Sequence, residues 1–356
     1  MLIYASVPDF YAAVERAADP ALRLRPVIVG GDPRKRGLVQ AASADARAVG
    51  VEVGMPVVQA LEKCPSARAL RTDMRRYREA SARLRASFRQ ESERLEPAGL
   101  EAAWLDTTAA PEPPDVIAGR LRARILEELE LPLRLGIAPV KFLAKLAAEQ
   151  AEDHGVSWIH TTQVSDFLDP LPATCLPGVG PKTASALIAR GARTVAQVRA
   201  LGRRELEAAL GNHGVAILAY AEGRDSSRLR LAPHPRSLSQ EATLREPELD
   251  RVELGERLAE LAAGLEAALQ RERLEATRVI LKVRYADGEG VTRTRSGIEP
   301  ISDARRLLDV AQELLARTQA GSRPVRRLGL AVASFGRKGD TDRQLDLFGR
   351  GPEQDR

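Results

Sequence analysis

Short apolar runs alternate with helical patterns along the first half of the chain. The apolar runs at 2–7 and 133–139 predict buried strands. Between them, apolar residues recur every three or four positions at 73–94 and at 115–130, which predicts amphipathic helices. Because strands and helices follow one another in this way, the pattern predicts an α/β layer.

A different pattern begins near residue 164, where helical segments joined by glycine-containing turns continue to residue 231. Residues 232–237 include two prolines and are typical of a linker. Beyond the linker, a helix, two alternating strands, a second helix and a last strand predict a small α+β domain at 238–338. The tail at 339–356 is polar, and we expect it to be disordered until it binds a partner.

Composition narrows the class of protein. The chain has 356 residues, 44% of them hydrophobic and 29% charged, which excludes disorder as the main state and suggests about two to four domains. Its two cysteines lie far apart, so we expect no disulfide scaffold and a cytoplasmic location. We expect neither a secretion signal nor a membrane partner, since no apolar run approaches the ~20 residues that span a bilayer. The net charge of +5 fits a nucleic-acid partner and fits an arginine-rich surface equally well.

Residues 176–191 carry the string LPGVGPKTASALIARG, a signature of the helix-hairpin-helix motif. Gly178 and Gly180 would let backbone amides approach a DNA phosphate, and Lys182 would add a charged contact. The alternative is a tight turn between two helices without a ligand. The specificity of the string favours phosphate binding.

Two strands of the predicted C-terminal domain are basic. Alternation places Arg278, Lys282 and Arg284 on one face of the first strand, opposite an apolar face. Arg293 and Arg295 share a face of the second strand. We expect the five cations to form one basic surface that follows DNA phosphates. The alternative is the solvated face of a half-buried sheet.

The tail contains a short apolar cluster that is typical of a linear docking motif. Its apolar side chains would enter a groove of a partner protein, and its glutamine would add a polar contact. The alternative is an incidental cluster that folds back on the protein. The residues of the cluster are Gln344, Leu345, Asp346, Leu347 and Phe348.

Several strings occur in an order that resembles the Y family of translesion DNA polymerases, of the DinB or polymerase IV type. They include FYAAVE (10–15), RPVIVGG (25–31), GVEVGMPVVQALEKCP (50–65), LEPAGLEAAWLD (95–106), GIAPVKFLAKLAAE (136–149) and LPGVGPKTA (176–184). The resemblance covers nearly the whole chain and implies an α/β multidomain right hand. Its implied parts are the palm (1–9 and 72–163), the fingers (10–71), the helix-hairpin-helix thumb (164–231), the linker (232–237), the little finger (238–338) and the tail (339–356). The final QLDLF resembles the sliding-clamp-binding motif of bacterial polymerases.

The active-site acids are where the sequence departs from this family. The family holds two Mg²⁺ ions with an Asp on the first strand and an adjacent Asp-Glu pair on a later hairpin, whose turn we expect at Pro97–Gly99. The resemblance places these acids at Ser6, Glu101 and Ala102, so only one carboxylate remains. Gly99 also stands where the family usually has a serine. We therefore expect at most Glu101 to bind metal, little or no nucleotidyl transfer, and a need for Mg²⁺ only if activity persists.

The nucleotide side of the site is better retained. Tyr11 matches the family's steric gate against ribonucleotides, and Arg47 and Lys141 match its triphosphate contacts. Ala44 stands where the family usually has a phosphate-contacting tyrosine. For Tyr11 and Arg47 the alternative is retention for packing alone, and for Lys141 it is an ordinary surface pair with Lys145.

Together these features resemble the catalytically degenerate, ImuB-type accessory proteins of bacterial mutasomes. The resemblance implies a damage-tolerance protein that binds primer–template DNA and the bacterial sliding clamp. A catalytically active polymerase and other mutasome proteins are further candidate partners. Two alternatives stay open: a slow or Mn²⁺-dependent translesion polymerase that uses Glu101, and a generic helix-hairpin-helix protein, which would leave residues 1–160 unexplained.

Overall fold

The structure, a computed structural model, describes residues 1–152, 155–231 and 235–337 and divides the chain into two compact units, Met1–Ala232 and Pro233–Arg356. The strands of the first unit are β1 (Leu2–Ser6), β2 (Val27–Gly30), β3 (Val39–Ala42), β4 (Arg68–Arg71), β5 (Leu95–Ala98), β6 (Ala102–Asp106), β7 (Arg134–Ala138) and β8 (Val156–Trp158). Its α-helices are α1 (Phe10–Ala18), α2 (Ala44–Ala48), α3 (Val57–Lys63), α4 (Met74–Glu91), α5 (Pro114–Leu129), α6 (Lys141–Gln150), α7 (Val164–Leu168), α8 (Pro181–Ile188), α9 (Val195–Leu210) and α10 (Asn212–Ala221). Short 3₁₀ helices lie at Pro20–Leu22, Pro33–Lys35, Thr161–Gln163 and Ala173–Cys175. The second unit consists of β9 (Ser237–Glu248), α11 (Arg251–Glu272), β10 (Leu274–Tyr285), β11 (Gly290–Ile301), α12 (Ala304–Ala316) and β12 (Val325–Arg337).

The main sheet of the first unit has the strand order β5-β6-β1-β7-β8. Successive side chains of a strand point to opposite faces, so β1 contributes to two cores. Ile3 and Ala5 pack with Phe88 of α4 and Leu121 of α5. Tyr4 belongs to the core on the other face, which includes the apolar side of α6. The predicted α/β layer is therefore confirmed. Among the helices of the described ranges, none combines the length and the apolarity needed to cross a bilayer.

Helix α6 lies directly on β7 at Gly136. A Cβ atom on this glycine would lie 2.0 Å from the carbonyl oxygen of Ala144 and 2.3 Å from the amide nitrogen of Ala148. Both are backbone atoms of α6, so the helix packs against a strand position that has room for hydrogen alone. This close approach fixes the start of α6, and with it Lys141, beside the main sheet.

The remaining parts of the first unit are a small sheet and a helical region. Strands β3, β2 and β4 form the sheet, and a core that includes Val39 of β3 and Val57 of α3 packs on it. The helical region runs from α7 to α10. Thr194 begins α9 with a capping box, in which its hydroxyl accepts a hydrogen bond from the amide of Gln197.

The hairpin of β5 and β6 turns two residues later than the sequence suggested. The expected turn at Pro97–Gly99 is wrong, because β5 continues to Ala98 and the turn occupies residues 99–101. Proline is tolerated at position 97 because β5 is an edge strand, where one side of the backbone needs no partner. Gly99 begins the turn with a φ of 74°, a conformation that favours glycine.

The second unit is an antiparallel sheet of order β11-β10-β12-β9. Its core combines one face of the sheet, including Val279 and Leu281, with apolar side chains of α11 and α12 such as Leu258 and Leu314. The predicted helix–strand–strand–helix–strand unit is present, with β9 added ahead of it. Strand β9 escapes sequence analysis because an edge strand with mostly exposed side chains shows no regular apolar alternation.

Candidate functional site

The three positions that the resemblance assigns to metal-binding acids lie together in the structure. Strands β1 and β6 are antiparallel with Ser6 opposite Ala102, and the amide of Val7 donates a hydrogen bond of 3.0 Å to the carbonyl oxygen of Glu101. The backbone therefore brings one hydroxyl, one methyl and one carboxylate group to the same end of the sheet. The chain keeps the strand pairing of a carboxylate centre but only one of its acids.

The carboxylate of Glu101 is folded back over its own turn. A Cβ atom on Gly99 would lie 2.6 Å from Oε2 of Glu101, so a side chain at position 99 would push this carboxylate aside. Helix α4 fixes the turn from the opposite side. The Ser81 hydroxyl donates to the carbonyl oxygen of Leu100 at 2.6 Å, and the Arg85 guanidinium donates to that of Gly99 at 2.7 Å. The geometry of the turn thus depends on α4 and on a glycine.

The acids nearest in sequence are already engaged elsewhere. Asp9 accepts a hydrogen bond of 2.7 Å from Arg47. Burial opposes ionisation of Asp106, but hydrogen bonds from Thr108 and Arg94 outweigh it and hold the pKa of Asp106 below its usual value. Within the described ranges, no group of three or more His, Cys, Asp or Glu side chains is arranged to hold a metal ion. Mg²⁺ prefers near-octahedral oxygen ligation, so the residues present do not fit a two-metal centre.

The predicted steric gate lies in an aromatic stack. The rings of Tyr11 and Tyr77 are 4.2 Å apart and nearly parallel, with 9° between their planes. The Tyr77 hydroxyl donates a hydrogen bond of 2.8 Å to Glu15, and burial together with this carboxylate raises the pKa of Tyr77. Packing alone could therefore explain the retention of Tyr11, and its role as a gate stays a prediction.

Lys141 is part of a buried ion pair. Its Nζ atom lies 2.6 Å from Oε2 of Glu96, and both residues are 8% exposed. The same ammonium group lies 4.5 Å from the ring centroid of Trp104, a cation–π geometry. The backbone amide of Arg230 donates a second hydrogen bond, of 2.8 Å, to the Glu96 carboxylate. Lys141 is therefore paired in this structure, and the alternative of an ordinary surface pair with Lys145 is wrong.

Sequence analysis missed Glu96, although a signal was present. Glu96 is an acid in a strand of the main sheet, on the face that also carries Trp104, its neighbour across β5 and β6. A buried acid requires a charged or hydrogen-bonding partner. The partner is Lys141, the first residue of α6. Its closeness to Glu96 follows from the order of the strands in the sheet, which the sequence does not reveal.

The helix-hairpin-helix string forms the expected turn. Gly178 has a φ of 86°, and Gly180 is the N-cap residue of α8, whose first residue is Pro181. Lys182 is exposed in the first turn of this helix. The ring of His213, which sequence analysis did not single out, lies with Nε2 3.1 Å from the carbonyl oxygen of Gly178. The turn presents an exposed helix N-terminus of the kind that binds anions.

The basic residues of the second unit do not form one surface. Antiparallel register places Arg293 opposite Leu281 and Arg295 opposite Val279, so these arginines lie on the face that α11 and α12 cover. Arg293 donates to the carbonyl oxygen of Arg317, and Arg295 forms an ion pair with Glu313 of α12. The expectation of a single five-cation face is wrong. Alternation within one strand shows which residues share a face of that strand, but it does not show which face of the neighbouring strand they join.

The face of this sheet that points away from α11 and α12, which we call the open face, carries a different set of cations. Arg278, Lys282 and Arg284 of β10 are exposed on it as predicted. Arg327 of β12 lies directly opposite Arg284 and joins them. Glu241 of β9 is an acid on the same face. The residues predicted to bind the clamp, 344–348, lie outside the described ranges.

Comparisons with known proteins agree with this architecture. The model of the impB/mucB/samB family matches residues 6–149, and the model of that family's C-terminal domain matches residues 235–347. The chain is 38% identical to DNA polymerase IV of Alkalilimnicola ehrlichii, over 98% of this chain and 99% of that protein. It is 33% identical to DNA polymerase IV 1 of Bacillus subtilis, over 98% of this chain and 85% of that protein. A solved Y-family DNA polymerase chimera of Dbh and Dpo4 superimposes with a TM-score of 0.84 over 95% of this chain and 99% of the chimera, at 24% identity.

Proposed function

The chain belongs to the Y family of DNA polymerases, and on that premise we propose that it binds primer–template DNA during translesion synthesis while its own nucleotidyl transfer is severely impaired. The observation that carries the proposal is the pairing of Ser6 with Ala102 beside a single acid, Glu101. Polymerase chemistry relies on two metal ions that activate the primer hydroxyl and stabilise the leaving pyrophosphate. With one carboxylate at this end of the sheet, the protein supplies too few oxygen ligands for either role.

The binding half of the proposal rests on two surfaces. The helix-hairpin-helix turn offers exposed backbone amides and Lys182 for phosphate contacts. The open face offers Arg278, Lys282, Arg284 and Arg327. Such contacts release counterions, so we expect the affinity for DNA to fall steeply with salt.

A primer-extension assay with the wild-type chain tests the catalytic half. We expect little or no templated extension with Mg²⁺, and the same result with Mn²⁺. A gel-shift measurement with the same primer–template checks that the protein binds it. Robust extension with Mg²⁺ would show that the site uses an acid outside the expected positions, and the proposal of impairment would fail.

The alternative is a slow or Mn²⁺-dependent translesion polymerase. Two observations favour it: full-length relatives as similar as 38% identity are DNA polymerases IV, and Glu101 retains a carboxylate. Mn²⁺ accepts carboxylate and water ligands in the same octahedral geometry as Mg²⁺. Extension that appears with Mn²⁺ and disappears in Glu101→Gln would establish this alternative.

The tail motif supports a further part of the proposal, an accessory role at the bacterial sliding clamp beside an active polymerase. We expect Leu345→Ala, Leu347→Ala and Phe348→Ala together to weaken clamp binding about 100-fold or more, since three truncated apolar anchors at ~1 kcal/mol or more each cost ~3 kcal/mol in total. Surface plasmon resonance with immobilised clamp measures the change. We expect this variant to bind DNA with the same affinity as the wild type.

The matched control alters Thr341, Asp342 and Arg343 to alanine in the same tail. We expect this variant to bind the clamp as the wild type does. If both triple variants bind normally, the motif interpretation of residues 344–348 is refuted.

A further inference from the structure

A glycine makes a gap in the middle of the open face. Lys282 of β10 lies opposite Gly329 of β12, which in turn lies opposite Glu241 of β9. Because Gly329 has no side chain, Glu241 reaches across β12, and a Cβ atom on the glycine would lie 3.1 Å from Cγ of Glu241. The carboxylate ends 4.0 Å from Nζ of Lys282 and 3.6 Å from Nη1 of Arg327.

The gap is the floor of a cleft of about 280 Å³, whose lining includes Glu241, Lys282, Arg284 and Arg327. Arg284 and Arg327 are directly opposite one another across β10 and β12, where like charges destabilise a sheet. Three cations and one acid therefore line this cleft. The acid lies between two of the cations and leaves the cleft with an excess of positive charge.

We propose that this cleft binds one phosphate of the DNA backbone and that Glu241 is the counter-charge it must displace. In free protein, the carboxylate neutralises part of the charge of Lys282 and Arg327. In the complex, a phosphate takes its place between the same cations, with Gly329 allowing close approach. Glu241 thus limits DNA affinity, a role that rests on the proposed function of the open face.

The contacts of Glu241 suit a group that is displaced. Its side chain is 45% exposed, and its two ion pairs are long. Exposed pairs of this kind contribute little to stability, so leaving them costs little. A phosphate oxygen can accept shorter charge-assisted hydrogen bonds from guanidinium groups. The acid is therefore a weak competitor that lowers affinity without closing the cleft.

The test compares Glu241→Gln with Glu260→Gln in binding to a fluorescent primer–template duplex. Glu260 is an exposed acid of α11 that pairs with Arg257, so its substitution makes the same charge change away from the open face. We expect Glu241→Gln to tighten binding about 3- to 10-fold at ~50 mM salt. We expect this gain in affinity to shrink as the salt concentration rises, since salt screens the charge of Glu241. We expect Glu260→Gln to change the affinity for DNA less than Glu241→Gln does.

The double variant Lys282→Ala, Arg327→Ala separates this inference from the proposed function. DNA binding by the open face and the counter-charge role of Glu241 are both supported if the double variant binds DNA more weakly and Glu241→Gln has no further effect in its background. If the double variant binds weakly but Glu241→Gln alone binds like the wild type, the role of Glu241 is refuted and DNA binding by the open face stands. If the double variant binds DNA normally, the open face is not a DNA-binding surface, and both fail.

Discussion

Restoring the three acids by Ser6→Asp, Glu101→Asp and Ala102→Glu should raise the rate of templated primer extension with Mg²⁺ by about a thousandfold. The strand pairing that holds these positions together is intact, and the hairpin turn is hydrogen-bonded from α4. The substitutions therefore add ligands to existing geometry. A thousandfold gain corresponds to about 4 kcal/mol of barrier, within what two metal ions supply.

Single-turnover primer extension with saturating DNA measures this gain without the contribution of binding. The matched control is Ser6→Asp alone, which leaves one of the paired acids missing and should recover less than a tenth of the triple variant's rate. A triple variant that stays inactive while it binds DNA normally would show that the nucleotide pocket around Tyr11 and Arg47 has decayed as well.

Gly136→Ala should destabilise the first unit by about 3 kcal/mol or more. The new methyl group would lie 2.0 and 2.3 Å from backbone atoms of α6, and backbone cannot rotate away as a side chain can. Either α6 moves off β7 or the strand distorts, and the buried Lys141–Glu96 pair shifts with it. Thermal unfolding followed by circular dichroism should show the transition of this unit lowered by roughly 6–12 °C.

The control for this prediction is Gly119→Ala, the same chemical change inside α5. A Cβ atom at position 119 has no neighbouring heavy atom within 4 Å, so no collision follows. Alanine favours the helix over glycine by about 0.8–1 kcal/mol, and this variant should be as stable as the wild type or slightly more so. If the two variants unfold at the same temperature, the close packing of α6 on β7 does not contribute to stability.

Pattern analysis predicted elements well where a strand or helix has one apolar side. Strand β10 alternates between buried and more exposed side chains from Arg278 to Tyr285, and its exposed cations were placed correctly from the sequence alone. The face of Arg293 and Arg295 was wrong because it depends on the register between β10 and β11, which neither strand encodes by itself. The Lys141–Glu96 pair and β9 were missed for related reasons. The first joins residues 45 positions apart through the sheet order, and the second is a polar edge strand.

The site positions were predictable because they follow motifs, whereas their surroundings were not. The strings around Ser6 and Glu101 assigned both residues to one metal-binding centre, and the pairing of β1 with β6 brings them close together. Nothing in those strings indicated that Asp9 pairs with Arg47, or that the carboxylate of Glu101 folds over Gly99. Such contacts depend on tertiary geometry, which a linear pattern does not contain.

The hydrogen bonds from Ser81 and Arg85 to the hairpin turn end on main-chain carbonyl oxygens, and so they are indifferent to which side chains the turn carries. The hydrogen bonds that stabilise the turn therefore do not depend on the acids that would bind metal. Mutations that remove or restore those acids would meet no opposing selection for solubility or expression. Metal-binding acids can therefore be lost from this hairpin, or regained there, during evolution. A randomised library at positions 6 and 101, neither of which is buried, should consist mostly of well-folded proteins, so that selection on it reports catalysis alone.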